Sequence, residues 1–207
     1  MLASTFGSRC WDLFFRFTDE QKRAAGITGK ATPANEARRK EILAKLARRR
    51  RGSAGLIAYA DGEPVGYISL GPRSDFPLVE RSRSTSAVDD VPVWVIPCIT
   101  VRKGYRGRGV AIAMIRATVA YAAKKGVAAV EGYARPDGKR IHDGSAHMGT
   151  ESMFRRAGFT RIRGVVPGLP RYYAPRVTMR ATSGTKPRAS SAGVPMRPKQ
   201  GASSSAT

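Results

Sequence analysis

The sequence predicts one mixed α/β (α+β) domain around a central sheet, over residues 1–180, with a tail at 181–207. Strand-like and helix-like patterns alternate along residues 10–180 without any internal repeat, which is the pattern of a single layered domain. The 207 residues are 42% hydrophobic and 25% charged, enough apolar surface for one core. From Ala181 the chain turns to Ser, Ala, Gly and Pro with Lys186, Arg188, Arg197 and Lys199, too poor in large apolar side chains to order itself.

The elements follow in order. "CWDLFFRFT" alternates Trp11, Leu13, Phe15 and Phe17 and predicts a strand. "TDEQKRAAG" predicts a short helix with Thr18 as N-cap and Gln21 completing a capping box. "TPANEARRKEILAKLARRRR" predicts a longer helix, with Thr32 as cap, Pro33 in the first turn, and Ile42, Leu43 and Leu46 as its apolar stripe. "GLIAYADGEPVGYISLG" reads as two strands joined at Asp61-Gly62, a strong hairpin signal. Residues 71–90 show no period and predict a long loop, the kind that often serves function. A long strand over 91–101 and a helix over 109–125, closed by Gly126, come next. A strand at 127–134, a polar loop at 135–149 holding both histidines, a helix begun by Thr150 and ended by Gly158, and closing strands in "FTRIRG" and "RYYAPRVTMR" complete the domain.

The formal net charge of +22 admits two readings, phosphate binding or a solvated basic surface. Much of the excess is local: the tail, and eight cations against Glu41 alone in residues 38–51. No motif that reads RNA or DNA is present, so nucleic acid is not the expected main partner. No apolar run reaches the roughly 18 residues of a membrane helix, and "MLASTFGSRCWDLFFRF" lacks the charge and cleavage pattern of a signal peptide. A cytoplasmic setting is expected, with Cys10 and Cys98 reduced, and no membrane partner.

"VRKGYRGRGVA", Val101 to Ala111, stands between the long strand and the next helix. A helix start exposes N–H groups and partial positive charge, and glycines let a ligand approach them, so such a turn favours phosphate. Arg102, Lys103, Arg106 and Arg108 add charge; a tight turn on a basic surface is the plainer alternative. A dinucleotide fingerprint needs a third glycine that "GRGVAI" lacks, and a Walker loop needs Gly-Lys-Ser/Thr, which Gly109-Val110-Ala111 is not.

"RGRGVA" does match [Q/R]-x-x-G-x-[G/A], through Arg106, Gly109 and Ala111, and "ESMFRRAGFTRI" carries a helix followed by Gly158-Phe159 about 50 residues on. Together they resemble the GNAT (GCN5-related) N-acetyltransferase superfamily. The resemblance implies a mixed, mostly antiparallel sheet flanked by helices, with splayed middle strands, and acetyl-CoA as acetyl donor. It implies that the backbone of Arg106, Gly107, Arg108, Gly109, Val110 and Ala111 takes the pyrophosphate. Ile99, Thr100 and Val101 would pair with the pantetheine arm, with Cys98 or Ile99 donating to the thioester carbonyl and Phe154 close to the sulfur. Pro97 suits a splay at this strand, or marks an ordinary edge.

Acetyl transfer needs a base for the amine, a carbonyl donor and an acid for the thiolate. Glu131, the single acid of its strand, is the candidate base, since a carboxylate taken out of water is a better proton acceptor; a hydrogen-bonded or solvated strand residue is the alternative. His142, Asp143 and His147 lie on the adjoining loop and could assist, and no metal site is expected from them. Cys98 reads as an inert thiol. The family often carries a tyrosine where this chain has Phe154, so Ser152, Tyr133 or a water would act as acid, or the thiolate leaves unaided. A domain that binds acetyl-CoA without transferring the acetyl group is the alternative. The expected acceptor is the primary amine of a small molecule. The arginines of loop 71–90, Arg73, Arg81 and Arg83, would favour one bearing a carboxylate or phosphate, unless they are simply solvated. A homodimer stays open.

Overall fold

The structure, a computed structural model, describes residues 11–28, 32–48, 54–138 and 147–184. Helix α1 spans Asp19–Ala24, and the expected capping box is formed between Thr18 and Gln21. Helix α2 spans Pro33–Ala47, with Thr32 and Asn35 closing a second box. Each cap is worth about 1 kcal/mol and fixes where its helix starts. The stripe of Ile42, Leu43 and Leu46 is only half-buried, and no residue of α2 enters the core.

Strands β1 (Leu56–Ala60) and β2 (Glu63–Ile68) form the expected hairpin. Asp61 and Gly62 take φ of 50° and 77°, the left-handed pair that a two-residue turn of type I′ requires. After β2 the chain bends into β3 (Gly71–Pro72). The long strand expected over 91–101 is broken into β4 (Val93–Ile96) and β5 (Ile99–Val101). β2 pairs with β5 in a three-stranded sheet, β1-β2-β5, while β3 pairs with β4 in a five-stranded one. The Ser69 N–H donates to the Cys98 carbonyl at 2.8 Å across this bend. Pro97 stands at the break, where a residue without an N–H leaves no ladder bond to lose.

The five-stranded sheet runs β3-β4-β6-β8-β7, with β6 spanning Ala129–Ala134, β7 Thr160–Arg163 and β8 Val177–Thr182. β4 and β6 are parallel and the other pairs antiparallel. Helices α4 (Val110–Lys124) and α5 (Glu151–Arg156) cover one face, closing a core through Ile68, Ile115, Val130, Phe154 and Met179. The other face packs Phe76, Val79, Val95, Tyr133 and Met148.

Three expectations change. Residues 11–17 are turns and not a strand, because Trp11 and Asp12 take positive φ, 48° and 62°. Buried Asp12 holds this segment down, accepting from Arg16 Nε at 2.8 Å, Ser69 Oγ at 2.8 Å and the Tyr67 hydroxyl at 2.9 Å. Residues 71–90 are not a featureless loop: β3 leads into helix α3 (Pro77–Arg81) between two short 3₁₀ turns, and Phe76 and Val79 are core. Strand β8 runs through Ala181 and Thr182, past the expected domain end at 180. Residues 185–207 lie outside the described part.

Candidate active site

The break at Pro97 and Cys98 creates the site. The last β4–β6 pair is Ile96 with Gly132, so Tyr133 and Ala134 run on without a partner on that side. β5, now in the other sheet, is an edge strand. Two strand edges with unpaired backbone groups therefore diverge from one point, and backbone groups left like this attract a partner. Phe154 fills the apex. Its ring occupies the notch that Gly132 leaves, also touches the Gly149 corner beside Ile99, and meets Phe159 edge-on at 5.1 Å.

The strand then enters the turn at 102–109. Gly104, Gly107 and Gly109 have φ of 88°, 73° and 81°, a region that costs other L-residues roughly 1–2 kcal/mol. A Cβ at any of the three would meet no protein atom within 4 Å, so backbone conformation calls for these glycines and the space beside them is open. Gly109 is the N-cap of α4, and no side chain caps this helix. The first intrahelical bond starts at the Ala113 N–H, donated to the Gly109 carbonyl. The N–H groups of the first turn before it have no partner within the helix, and the helix dipole adds partial positive charge there.

A pocket of about 350 Å³ joins the two features. Ile99, Thr100 and Val101 line it from β5, and Arg106, Gly107, Gly109, Val110 and Ala111 from the turn and helix start. Tyr105, Ile112, His147, Met153 and Arg156 also line it, and the sequence reading did not assign them to the cofactor. Met153 and Arg156 are one turn apart on α5, a spacing that puts them on one face. Arg106 Nε donates to the Val101 carbonyl at 3.1 Å, and Arg108 stacks on Tyr105 at 5.4 Å, so part of the positive charge is braced.

Three residues expected at the cofactor stand outside the pocket lining. Phe154 is fully buried, Arg108 faces Tyr105, and Cys98 is a half-buried thiol outside any disulfide, 4.0 Å from Thr100 Oγ1.

The catalytic candidates are not gathered into one cluster. Glu131 and Tyr133 point to the face away from α4, while Ser152 is exposed on α5, bonded to Thr150 Oγ1. Glu131 is 1% exposed and fully engaged. Its Oε1 accepts from Arg180 Nε and Nη2 at 3.0 and 2.6 Å. Its Oε2 accepts from the Tyr133 hydroxyl at 3.2 Å, with Arg73 3.8 Å away. Arg73 donates in turn to the Tyr133 hydroxyl. Burial, and then the Glu131 charge, push the Tyr133 phenol well above its ordinary range, so it stays protonated. Glu131 is thus used by the fold as a counter-charge, which spacing within its own strand does not reveal.

His147 lines the pocket, with its ring 6.1 Å from that of Phe15. Cys10, His142 and Asp143 lie outside the described residues. Among the described residues no group of three or more His, Cys, Asp or Glu is placed to hold a metal ion, and no helix is long and apolar enough to cross a membrane.

Ribosomal-protein-alanine N-acetyltransferase from Brucella melitensis is 19% identical to this chain, with 75% of this chain and 83% of that one covered and a TM-score of 0.46. The ribosomal-protein-S18-alanine N-acetyltransferase of Escherichia coli is 13% identical, with 84% and 94% covered and a TM-score of 0.43. Aminoglycoside 6'-acetyltransferase type Ii is 14% identical, with 88% and 92% covered and a TM-score of 0.47. No curated protein matches the sequence. The acetyltransferase (GNAT) family matches residues 15–141, well over half the chain, and the chain belongs to that family.

Proposed function

We propose that this chain moves an acetyl group from acetyl-CoA to a primary amine of a small molecule, by direct attack in a ternary complex. One observation carries the proposal: the uncapped start of α4 and the free edge of β5 open on the same pocket. The donor is a diphosphate joined to an extended amide-bearing arm, and each part has a matching surface. The first-turn N–H groups of α4 and the Arg106–Ala111 backbone would hold the diphosphate. The Ile99–Val101 edge would pair with the amides of the arm as an added strand does.

The amine nitrogen attacks the thioester carbonyl carbon, the C–S bond breaks, and the proton lost by the amine ends on the thiolate. The backbone N–H of Cys98 or Ile99 would polarise the carbonyl. His147, at the pocket wall, takes the role of base in place of Glu131, whose oxygens are occupied. Ser152 and Tyr133 stand away from the pocket lining, so the thiolate would take its proton from His147 or water.

A second reading, acetyl-CoA binding without transfer, is favoured by Phe154, which is buried and offers no hydroxyl to the sulfur. Calorimetric titration with acetyl-CoA and thiol release over a panel of amines separate the two. Binding with amine-dependent thiol release, and an acetylated amine seen by mass spectrometry, supports transfer. Binding without release from any amine supports the second reading, and no binding at millimolar acetyl-CoA rejects both.

A further inference from the structure

The face of the large sheet away from α4 and α5 carries an unbalanced charge. Six buried side-chain polar atoms lack a partner among the described residues, and four of them belong to Arg163, Arg176 and Thr178. The register explains why they cluster. Thr178 pairs with Tyr133 on one side and with Arg163 on the other, so these three side chains share a face. Arg176 stands two residues before Thr178, just ahead of the start of β8, and is buried. Tyr133 is the first β6 residue beyond the last β4 pair, so this row starts at the open edge of the cleft.

Among the described residues no carboxylate is paired with Arg163 or Arg176. Arg180 holds both Glu131 and Asp89, the latter at 2.7 and 2.8 Å. The second oxygen of Glu131 is shared by Tyr133 and Arg73. Arg163 spends Nη1 on Ser86 Oγ at 3.0 Å, which leaves Nε and Nη2, the edge that grips a carboxylate bidentately. Arg176 is 8% exposed and is pulled down to about 10, by burial first and by the charge of Arg135 second. Burying guanidinium groups without a counter-charge is costly, and a bound anion removes that cost.

We infer that Arg163, Arg176 and Thr178 form an oxyanion site beside the cleft, which holds a carboxylate or phosphate group carried by the acceptor amine. The inference rests on the transferase reading above and gives its acceptor a chemical class. The side-on edge of Arg163 takes two oxygens, Arg176 Nη1 takes a third bond, and the Thr178 hydroxyl completes the set.

The test uses the full chain saturated with coenzyme A, so that the α4 corner is already filled. Thermal midpoints are read in acetate, inorganic phosphate and chloride at matched ionic strength, for wild type, Arg163→Gln and Arg176→Met. The expected result is a midpoint raised by acetate or phosphate beyond chloride in wild type and not in either variant. Arg176→Met should also melt higher than wild type in chloride, since it removes a buried uncompensated charge. The stronger anion, carboxylate or phosphate, names the group on the acceptor. Preference for amines bearing that group over neutral amines, as kcat/KM, should then fall roughly tenfold or more in Arg163→Gln. An anion increment absent from wild type, or kept in the variants, overturns the site. Should Arg176→Met fail to fold, Arg163→Gln decides alone. Coenzyme A failing to raise the midpoint by itself speaks against the transferase reading, and the anion increment still reports on the arginine cluster.

Discussion

Gly109 and Gly132 stand on opposite sides of the same cleft and lack a Cβ for opposite reasons. At Gly132 a Cβ would fall well under 3.0 Å from the Phe154 ring, so the chain itself has filled the gap. At Gly109 a Cβ would meet nothing, and φ of 81° alone selects glycine. The first space holds the sheet to α5, where full burial of a phenylalanine side chain contributes about 1.5–3 kcal/mol. The second stays open beside unpaired backbone donors. The titratable groups divide in the same way: Glu131 is absorbed into the fold by Arg180 and Tyr133, while His147 faces the pocket. Space already filled by the protein is structural, and the space left open beside Gly109 is what a ligand can use.

Substitutions can break this contrast, and the largest effect is expected at Gly132. Gly132→Leu forces the Phe154 ring out of a core that cannot shift, costing about 3 kcal/mol or more, read as a lower denaturant midpoint. A midpoint near wild type would show that the notch is not closed. Glu131→Gln leaves Arg180 with Asp89 as its remaining carboxylate and should lose about 1–3 kcal/mol in the same measurement. Unchanged stability with a large fall in thiol release would return Glu131 to the role of base. Gly109→Trp should cost only about 1–2 kcal/mol of stability, from the left-handed backbone, yet remove calorimetric binding of acetyl-CoA. Retained binding would mean that the α4 corner is not the diphosphate site.

His147→Ala should lower kcat/KM by about a hundredfold. A rate near wild type would assign the base elsewhere. The smallest effect is expected at Asp89. Its hydrogen bonds from Arg180 hold its carboxyl below the ordinary 3.8. A depressed folded value means stability that is present above pH ~3.8 and lost as pH falls through the folded value. Hydrogen exchange at 82–91 should therefore quicken in that acid range before the core strands do. Uniform exchange across both regions would argue against a local clamp.

Where an element depends on neighbours a few residues away, the sequence was legible. The boxes at Thr18 and Thr32, the Asp61-Gly62 turn, α4 and its glycine-rich entry all follow from side chains and backbone preferences within one or two turns. The segment 11–17 reads as a strand by alternation, yet Asp12 is claimed by Arg16, Tyr67 and Ser69, and residues 67 and 69 are far off in sequence. Residues 71–90 show no period because their order comes from single anchors, Phe76 and Val79 in the core and Arg73 on the Thr85 carbonyl.

Sequence by itself determined the family, the helix caps and the glycine-rich turn before α4, because motif spacing, glycine φ and helix capping are local properties. Tertiary structure alone decided that Phe154 and Glu131 are spent inside the fold, that His147 lines the pocket, and that Arg163, Arg176 and Thr178 bury polar atoms without a partner among the described residues. Burial and charge pairing depend on strand register across long separations, and no local pattern encodes which partner a buried charge will meet.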